Sequence, residues 1–430
     1  MQLSLFCDYR FHLKTSSFYT KYDALFLAVE AAWSKIPHSA RSGRIGYGEL
    51  TFLKSLIYKN AQSIKSIPEL LRDLESRPVL CEMIGFTPGQ LPDSSRFYVF
   101  LAQTNNSEIE AIHHAAVQIL IDDNIVSLDL LIGDSKPVMA NTKHNNSKNP
   151  NRSLDKTKKI PRNPNATFSY YSYLKQPTSK KKEFAYFWGY RTHALISQEG
   201  VPLVEITKPN NINDATIAKM LLKKLKRVYG QKKGRIFIAD AAYDKRWLYD
   251  FIVKEMKARP FIPINRRYKE PHELFAENGH PICAANLKMK YSGLSPKDGR
   301  NRKKFRCPIK MASKKEQAQL PKQCPVNHKH FCQGKCYGCT AYVVPEDIRA
   351  EVPRQSKFFA DTYAKRTEVE RYFSRMGDRE VEQTTHFRYR SIRNQMTIAH
   401  LTLALTAVAA ALVLKQPEKI RCFRSFADAA

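Results

Sequence analysis

Three acidic side chains stand out in a chain with few acids: Asp134 in IVSLDLLIGDSKPV, Asp240 in GRIFIADAAYD and Glu370 in YAKRTEVERYF. The first two follow apolar runs of strand length, and the third lies in a helical stretch. In open α/β sheets, ligands collect beyond the carboxyl ends of strands. Two Asp from neighbouring strands can therefore share a cation. A helix packed on that sheet would add Glu370, with Arg366 and Tyr363 one and two turns earlier on the same face. Hard carboxylate oxygens with open positions suit Mg²⁺ or Mn²⁺, and two such ions clamp the attacking and leaving oxygens of an in-line phosphoryl displacement. Each acid alone reads as an ordinary turn residue, cap or surface ion pair. Asp244 rivals Asp240, and Asp129 more weakly rivals Asp134. The chemistry rests on the combination.

Composition points to a polyanionic substrate. There are 71 Lys and Arg against 40 Asp and Glu, a formal charge of +31, and nucleic acid is the default partner of so basic a protein. At 430 residues, 43% hydrophobic and 11% aromatic, the chain can bury at least one large core and is too apolar to be disordered. The first residues, MQLSLFCDYRFHLKTSS, carry charges inside a short apolar stretch and no small-residue cleavage site, so no signal peptide is read and a cytoplasmic, nucleoid-associated location is expected. The run Met396 to Leu414 is about long enough to span a bilayer. It contains His400, is rich in Ala and follows a basic helix, so a buried core helix is expected and no membrane partner.

The elements that must position the acids divide the chain as follows. Residues 1–120 show helical periodicity with Gly and Pro punctuation, and are expected as an all-helical N-terminal DNA-binding domain, or else a packing or dimerisation domain. Ser66-Ile67-Pro68-Glu69 offers a helix cap with Pro in the first turn. Residues 121–265 read as the first part of a mixed α/β core: a strand over 125–132, a long basic loop over 141–184, two strand-like runs in FAYFWGYRTHALIS and VPLVEIT, a helix over 214–229 opened by Asn213-Asp214, the short strand RIFIA, the helix LYDFIVKEMKA and the strand PFIPI. Residues 266–345 form a Cys- and Lys-rich insertion, 346–415 the C-terminal helices of the core, and 416–430 a tail.

The insertion holds six of the nine cysteines: Cys283, Cys307, Cys324, Cys332, Cys336 and Cys339, with His328 and His330 between them. Clustered Cys without a secretion signal suggest metal. A small Lys-rich segment lacks core of its own, and structural Zn²⁺ would staple it. Free thiols are the alternative. SYYSYLK and SKKKEFAYFWGY interleave aromatics with Lys. These are read mainly as core strand with Trp188 buried, although aromatics can stack on unpaired bases. The basic piece SPKDGRNRKKFR is the better DNA contact.

Taken together, these residues resemble the DDE transposases of bacterial insertion sequences, in particular the group marked by Tyr-x2-Arg-x3-Glu-x6-Lys. Tyr363, Arg366 and Glu370 fit that spacing, whereas position 377 is Gly, with Arg375 and Arg379 nearby. FIADAAYD resembles the second-Asp motif, with Tyr243 and Asp244 in their usual places. GYRTHALISQEGVPLVEITKPNNINDA resembles the stretch between the two Asp, including His193 and Asp214, and GDSKPV resembles the first-Asp motif. The resemblance implies an RNase H-like mixed sheet with flanking helices, and Asp134, Asp240 and Glu370 as catalytic ligands of two Mg²⁺ or Mn²⁺ ions. It implies hydrolysis at the transposon end followed by attack of the freed 3′-OH on target DNA. It also implies DNA contacts from Tyr363 and Arg366, with His193, Tyr243, Arg375 and Arg379 as further candidates. The expected partners are terminal inverted repeats and target DNA, with a homodimer holding two ends. A non-catalytic DNA-binding descendant and an RNase H-like structure-specific nuclease are the alternatives.

Overall fold

The computed structural model describes residues 16–37, 47–174, 182–265, 280–296, 302–326, 338–343, 348–354, 356–377 and 382–422. Six helices come first: α1 (Ser17–Trp33), α2 (Glu49–Ala61), α3 (Ile67–Glu75), α4 (Pro78–Ile84), α5 (Ser94–Gln103) and α6 (Asn106–Asp122). The expected cap is present, since Ser66 accepts from the Glu69 backbone N–H at 3.3 Å and Pro68 sits in the first turn of α3. A mixed sheet follows, from β1 (Leu130–Met139), β2 (Thr167–Leu174), β3 (Lys182–Ile196), β4 (Pro202–Pro209), β5 (Ile236–Ile238) and β6 (Arg259–Phe261). Helix α7 (Asp214–Tyr229) joins β4 to β5, and α8 (Arg246–Asp250), prolonged by a π turn, joins β5 to β6. Across the sheet the order is β4-β3-β1-β5-β6. Strand β3 is antiparallel to both neighbours, and β1, β5 and β6 run parallel.

Two sequence expectations need correction here. The first strand begins at Leu130, not at 125, and runs through Asp134 to Met139, so Asp134 is a mid-strand residue. Its neighbours explain why an acid and a glycine are tolerated there. A Cβ at Gly133 would stand 3.1 Å from the Phe237 ring and 3.2 Å from Leu195, so the bare Gly lets β5 and β3 close in. Second, the stretch read as a structureless basic loop over 141–184 contains β2, paired antiparallel to β3 from Thr167↔Gly189 to Leu174↔Lys182. The part before β2 is tied down by polar bonds: Asn145 Nδ2 donates to Ala140 O (2.7 Å) and Trp188 O (2.8 Å), and Trp188 Nε1 donates to Ser153 O (2.8 Å). Turn chemistry supplied by Asn and Ser, rather than apolar periodicity, orders this segment.

The insertion carries a separate three-stranded antiparallel sheet, β7 (Lys290–Leu294), β8 (Lys303–Arg306) and β9 (Thr340–Val343), with the short helices α9 (Pro308–Met311) and α10 (Lys314–Gln317). Among the described residues its hydrophobic cluster has four buried members: Cys283, Met289, Phe305 and Ala341. Residues 297–301 of SPKDGRNRKKFR lie outside the described residues. The chain then returns to the main sheet through α11 (Lys357–Ala364), α12 (Thr367–Gly377) and α13 (Tyr389–Val408), the last ending in a π turn over Ala409–Val413.

The N-terminal helices do not stand apart. One continuous cluster joins Leu25, Ile57, Leu101 and Val117 to Leu131, Phe237 and Leu225 of the α/β part and to Leu401 and Ala410 of α13. Polar bonds reinforce the seam: Asn394 Nδ2 donates to Leu101 O and Thr104 O, each at 2.9 Å, and Asn106 Nδ2 donates to Asn394 Oδ1 at 2.9 Å. Tyr389–Val413 is long and apolar enough to cross a membrane, and 89% of its most apolar window is buried inside the protein.

Candidate active site

The sheet register brings the two Asp together. Ile132 of β1 stands opposite Ile238 of β5. Two residues further come Asp134, within β1, and Asp240, still extended just past the end of β5, in the same phase of the alternation. Leu130, Ile132 and Ile238 face a cluster with Val369, Tyr372, Phe373, Met396 and Ala399 from α12 and α13, whereas Leu131 and Phe237 face the opposite core. Both acids therefore lie on the face that α12 covers, and α12 carries Glu370.

Arg366, at the turn between α11 and α12, completes the arrangement. Its Nη1 donates to Glu370 Oε1 at 2.6 Å and its Nη2 to Asp134 Oδ2 at 3.3 Å, linking residues 232 positions apart. Asp134 Oδ1 also accepts from the Ser135 N–H at 2.8 Å. Burial raises the Asp134 carboxyl to about 6; Arg366 and the Ser135 amide hold it down, while Asp240 and Asp214 push it further up. Asp240 Oδ1 accepts from the Ala242 N–H at 2.8 Å, which sets the carboxylate at the start of a 3₁₀ turn. The Tyr363 hydroxyl is raised by burial, against Arg366, and feels Asp240, Asp134 and Glu370 together. Helix α12 is registered on the sheet by a buried polar chain: Tyr372 Oη bonds His400 Nδ1, His400 Nε2 lies 2.8 Å from Thr192 Oγ1, and Thr207 Oγ1 donates to Thr192 at 3.0 Å.

Other residues expected to touch DNA do not stand free to do so. His193 and Tyr243 are 2% and 3% exposed, shut in beneath the sheet end. Burial and Arg191 lower His193 to about 3, so it is neutral; its Nδ1 makes no hydrogen bond and lies 3.8 Å from Asp214 Oδ1. Tyr243 is pushed far up by burial and by Asp134, Asp214 and Asp240 around it. Arg375 is committed internally, donating to Gly200 O at 2.9 Å and pairing with Glu368 at 3.7 Å. Arg379 lies outside the described residues. The rivals are placed elsewhere: Asp129 pairs with Lys232 at 2.5 Å at the far end of β1, and buried Asp244 accepts from the Asn265 N–H at 2.9 Å and faces Arg349.

Residues to which the sequence reading gave no role at the site also shape it. Burial raises Asp214 despite Arg191, with Asp240 adding to it, making a fourth acid at the edge of the cluster. Arg191 Nη1 donates to Ser135 Oγ at 3.1 Å. Glu368, two residues before Glu370, is buried and faces Arg371, Arg375 and Arg421 at 3.4, 3.7 and 3.3 Å. Position 377 lies beside a cation from β1. A Cβ there would stand 2.7 Å from the Lys136 Nζ and 2.7 Å from Glu382 Oε1. Lys136, two residues after Asp134 on β1, reaches across to donate to Phe373 O at 2.8 Å and to pair with Glu382 at 2.5 Å.

Among the described residues, no group of three or more His, Cys, Asp or Glu is arranged to hold a metal ion; in this arrangement Arg366 joins Asp134 and Glu370. The donor set nevertheless fits a hard divalent cation. It consists of carboxylate oxygens, one of them buried at a cost that a cation would relieve. In the insertion, Cys283 and Cys307 are buried, and the Cys307 N–H donates to Cys339 O at 2.8 Å. The Cys339 thiol is pushed up to about 12 by burial and by Cys283 and Cys307. The described cysteines of the insertion, Cys283, Cys307, Cys324 and Cys339, are free thiols; Cys332 and Cys336 lie outside the described residues.

Residues 130–406 match the family described as Transposase DDE domain. No curated protein matches. Among solved structures, the chain is similar to the piggyBac transposase in a synaptic complex with hairpin DNA studied by cryo-EM, at 10% identity and a TM-score of 0.38, over 96% of this chain and 79% of that one.

Proposed function

The chain belongs to the transposase DDE domain family, which makes it an enzyme that cleaves and transfers DNA, and we propose that Asp134, Asp240 and Glu370 are its catalytic carboxylates. The observation that carries this reading is the Arg366 bridge, which ties the acid of α12 to the acid of β1 at the end where β5 delivers Asp240. The strand order β4-β3-β1-β5-β6, with β3 antiparallel among otherwise parallel partners, supports an RNase H-like core. Tyr363, Arg366 and Glu370 support placement with the insertion-sequence group bearing that signature.

Asp134, Asp240 and Glu370 would hold two Mg²⁺ or Mn²⁺ ions, which when bound supply charge stabilisation at the attacking and leaving oxygens. The chain's own residues do the remainder. The Ser135 amide and the Ala242 amide fix one oxygen of each Asp, and the other oxygen of Asp134 is the one that Arg366 holds. Arg366 keeps the unfilled carboxylates neutralised, then turns its guanidinium to a DNA phosphate, for which its planar fork is suited. Tyr363 packs beside it. Lys136 supplies, from β1, the cation that the signature places at position 377. Water cleaves at the element end, and the freed 3′-OH attacks target DNA. A homodimer would hold two ends. In the insertion, Cys283, Cys307 and Cys339 would contribute to a structural Zn²⁺ site that stands in for a core of four residues.

The test is cleavage and joining by the purified protein on DNA carrying the gene's own flanking ends, with Mg²⁺ or Mn²⁺ and an Asp240→Ala control. Metal-dependent 3′-OH release and joining, lost in the control, is the expected result. Tight binding without cleavage under either metal would overturn the catalytic assignment.

A further inference from the structure

Strand β2 and the first half of β3 form a two-stranded arm. Thr167–Leu174 pairs with residues up to Gly189, and β1 and β4 take over from Gly189 and Tyr190 onward. One face of the arm is a file of aromatic rings. Trp188 packs on Phe168 at 5.5 Å, Phe168 stacks on Tyr186 at 5.8 Å with planes 4° apart, Tyr186 meets Tyr170 at 6.0 Å, and Tyr170 meets Phe184 edge-on at 5.5 Å. Cover runs out along the file: Trp188 is 1% exposed, Tyr170 46%, Tyr186 47% and Phe184 54%. Contiguous rings left half in water mark an interaction surface.

Position and charge identify the partner. Even-numbered residues of β3 share one face, and Ala194, in that phase, pairs with Asp134. The file therefore lies on the face that carries the acids, with Tyr186 about 27 Å outboard of Ala194 at about 3.4 Å per residue. Lys156, Lys158, Lys159 and Arg162 are exposed in the segment that leads into β2. That segment is pinned to the base of the arm by the bonds of Trp188 to Ser153 O (2.8 Å) and to Asn145 Oδ1 (2.7 Å). A second copy of this chain would bring the same +31 charge to a basic rim, which disfavours self-docking. A polyanion with flat apolar faces satisfies both features, and every base has a π face on which an aromatic ring can stack.

We propose that the arm binds unpaired bases of DNA by stacking them on Phe184, Tyr186 and Tyr170, with the basic segment at its base holding the flanking phosphates. The proposal rests on the DNA-cleaving reading, and its test separates the two. The full chain is titrated with a plain duplex and with the same duplex bearing a single-stranded tail of about ten nucleotides that contains 2-aminopurine. The variants are Phe184→Ala, Tyr186→Ala and Tyr186→Trp.

Each Ala variant should lose about 10-fold in the affinity that the tail adds, together with the quenching of 2-aminopurine. Tyr186→Trp should keep both. Duplex affinity and its salt slope should stay within about 2-fold, because the phosphate contacts are untouched. Equal loss on both probes, or unchanged quenching, would overturn the arm as a stacking site. So would tail binding that survives while sedimentation shows the variant losing self-association. If the unsubstituted chain binds neither probe, the DNA reading falls with it.

Discussion

Neutralising Asp134 should make the metal-free protein more stable while destroying its activity. Its carboxyl is raised from 3.8 to about 6, chiefly by burial, and its side chain is 20% exposed. A rise of that size corresponds to roughly 3 kcal/mol of destabilisation by the charged form at neutral pH, at about 1.4 kcal/mol for each factor of ten in proton affinity. Asp134→Asn removes that cost and keeps an oxygen for the Ser135 amide. It gives up the charge of the Arg366 contact, which the net rise already includes, and Arg366 retains Glu370. The net gain is about 3 kcal/mol, or about 3 °C in Tm for unfolding entropies near 2 cal/mol/K per residue. The pH profile carries the sign. An acid whose folded pKa lies above its unfolded value binds its proton preferentially when folded. Wild-type stability relative to the Asp134→Asn variant should therefore rise as pH falls through about 6, and the gain should be complete near 3.8. Divalent ions should stabilise the wild type by mass action and leave the variant unmoved. Denaturation midpoints from about pH 4 to 8, with and without Mn²⁺, check this. A variant less stable than wild type at the alkaline end, or a difference profile without slope between about pH 4 and 6, would refute the argument that the site stores unfavourable charge for a cation.

The neighbouring glutamates should separate cleanly. Glu368→Gln leaves Arg375 facing a neutral partner in a buried setting and should cost about 3 kcal/mol in thermal denaturation, whereas Glu370→Gln, at a side chain 56% exposed, should leave stability nearly unchanged and abolish DNA cleavage. Arg366→Ala frees Asp134 and Glu370 from their internal cation, so Mn²⁺ followed by electron paramagnetic resonance should bind about 5-fold more tightly without DNA, even as cleavage falls; weaker Mn²⁺ binding would show that Arg366 organises the acids rather than occupying them. Lys136→Ala should weaken binding of element-end DNA about 5-fold, and Gly377→Ala should leave stability nearly unchanged, because its Cβ would meet only the far ends of the Lys136 and Glu382 side chains, at 2.7 Å, which can swing aside; both are read by DNA titration and by melting.

How much of this was legible beforehand follows from which physical signal each feature leaves. The proposed acid set drew on signals that the sequence carries: β5 is a short apolar run that stops shortly before Asp240, and Tyr363, Arg366 and Glu370 have helical spacing, although the structure divides them between α11, the turn after it and α12. The extent of β1 was not: SLDLLI alternates and then continues through Gly133, Asp134, Ser135 and Lys136, polar residues that a strand accepts only because β3 and β5 pair with it on both sides. Tertiary pairing overrode local propensity there. The basic segment over 141–184 misled for a related reason. Its order comes from single polar bonds of Asn145, Ser153 and Trp188, and such bonds leave no periodicity to detect.

The aromatic arm shows where composition alone fails. Trp188 is buried as its size and apolarity suggest, but Phe184 and Tyr186, on the same face and nearer the start of the strand, are not. What separates them is where the sheet stops. At Gly189, where a Cβ would stand 2.1 Å from the Val138 carbonyl oxygen, β1 presses against β3, and Tyr389 stacks on Tyr190. From Tyr186 outward the same alternation that builds a core delivers rings to solvent. Past Gly189 the ring of Trp188 is still covered, beside the segment that carries Asn145 and Ser153, whereas Tyr186 and Phe184 are half exposed. That cover comes from residues 43 and 35 positions away in sequence, which is why no local reading of the strand could locate where it ends.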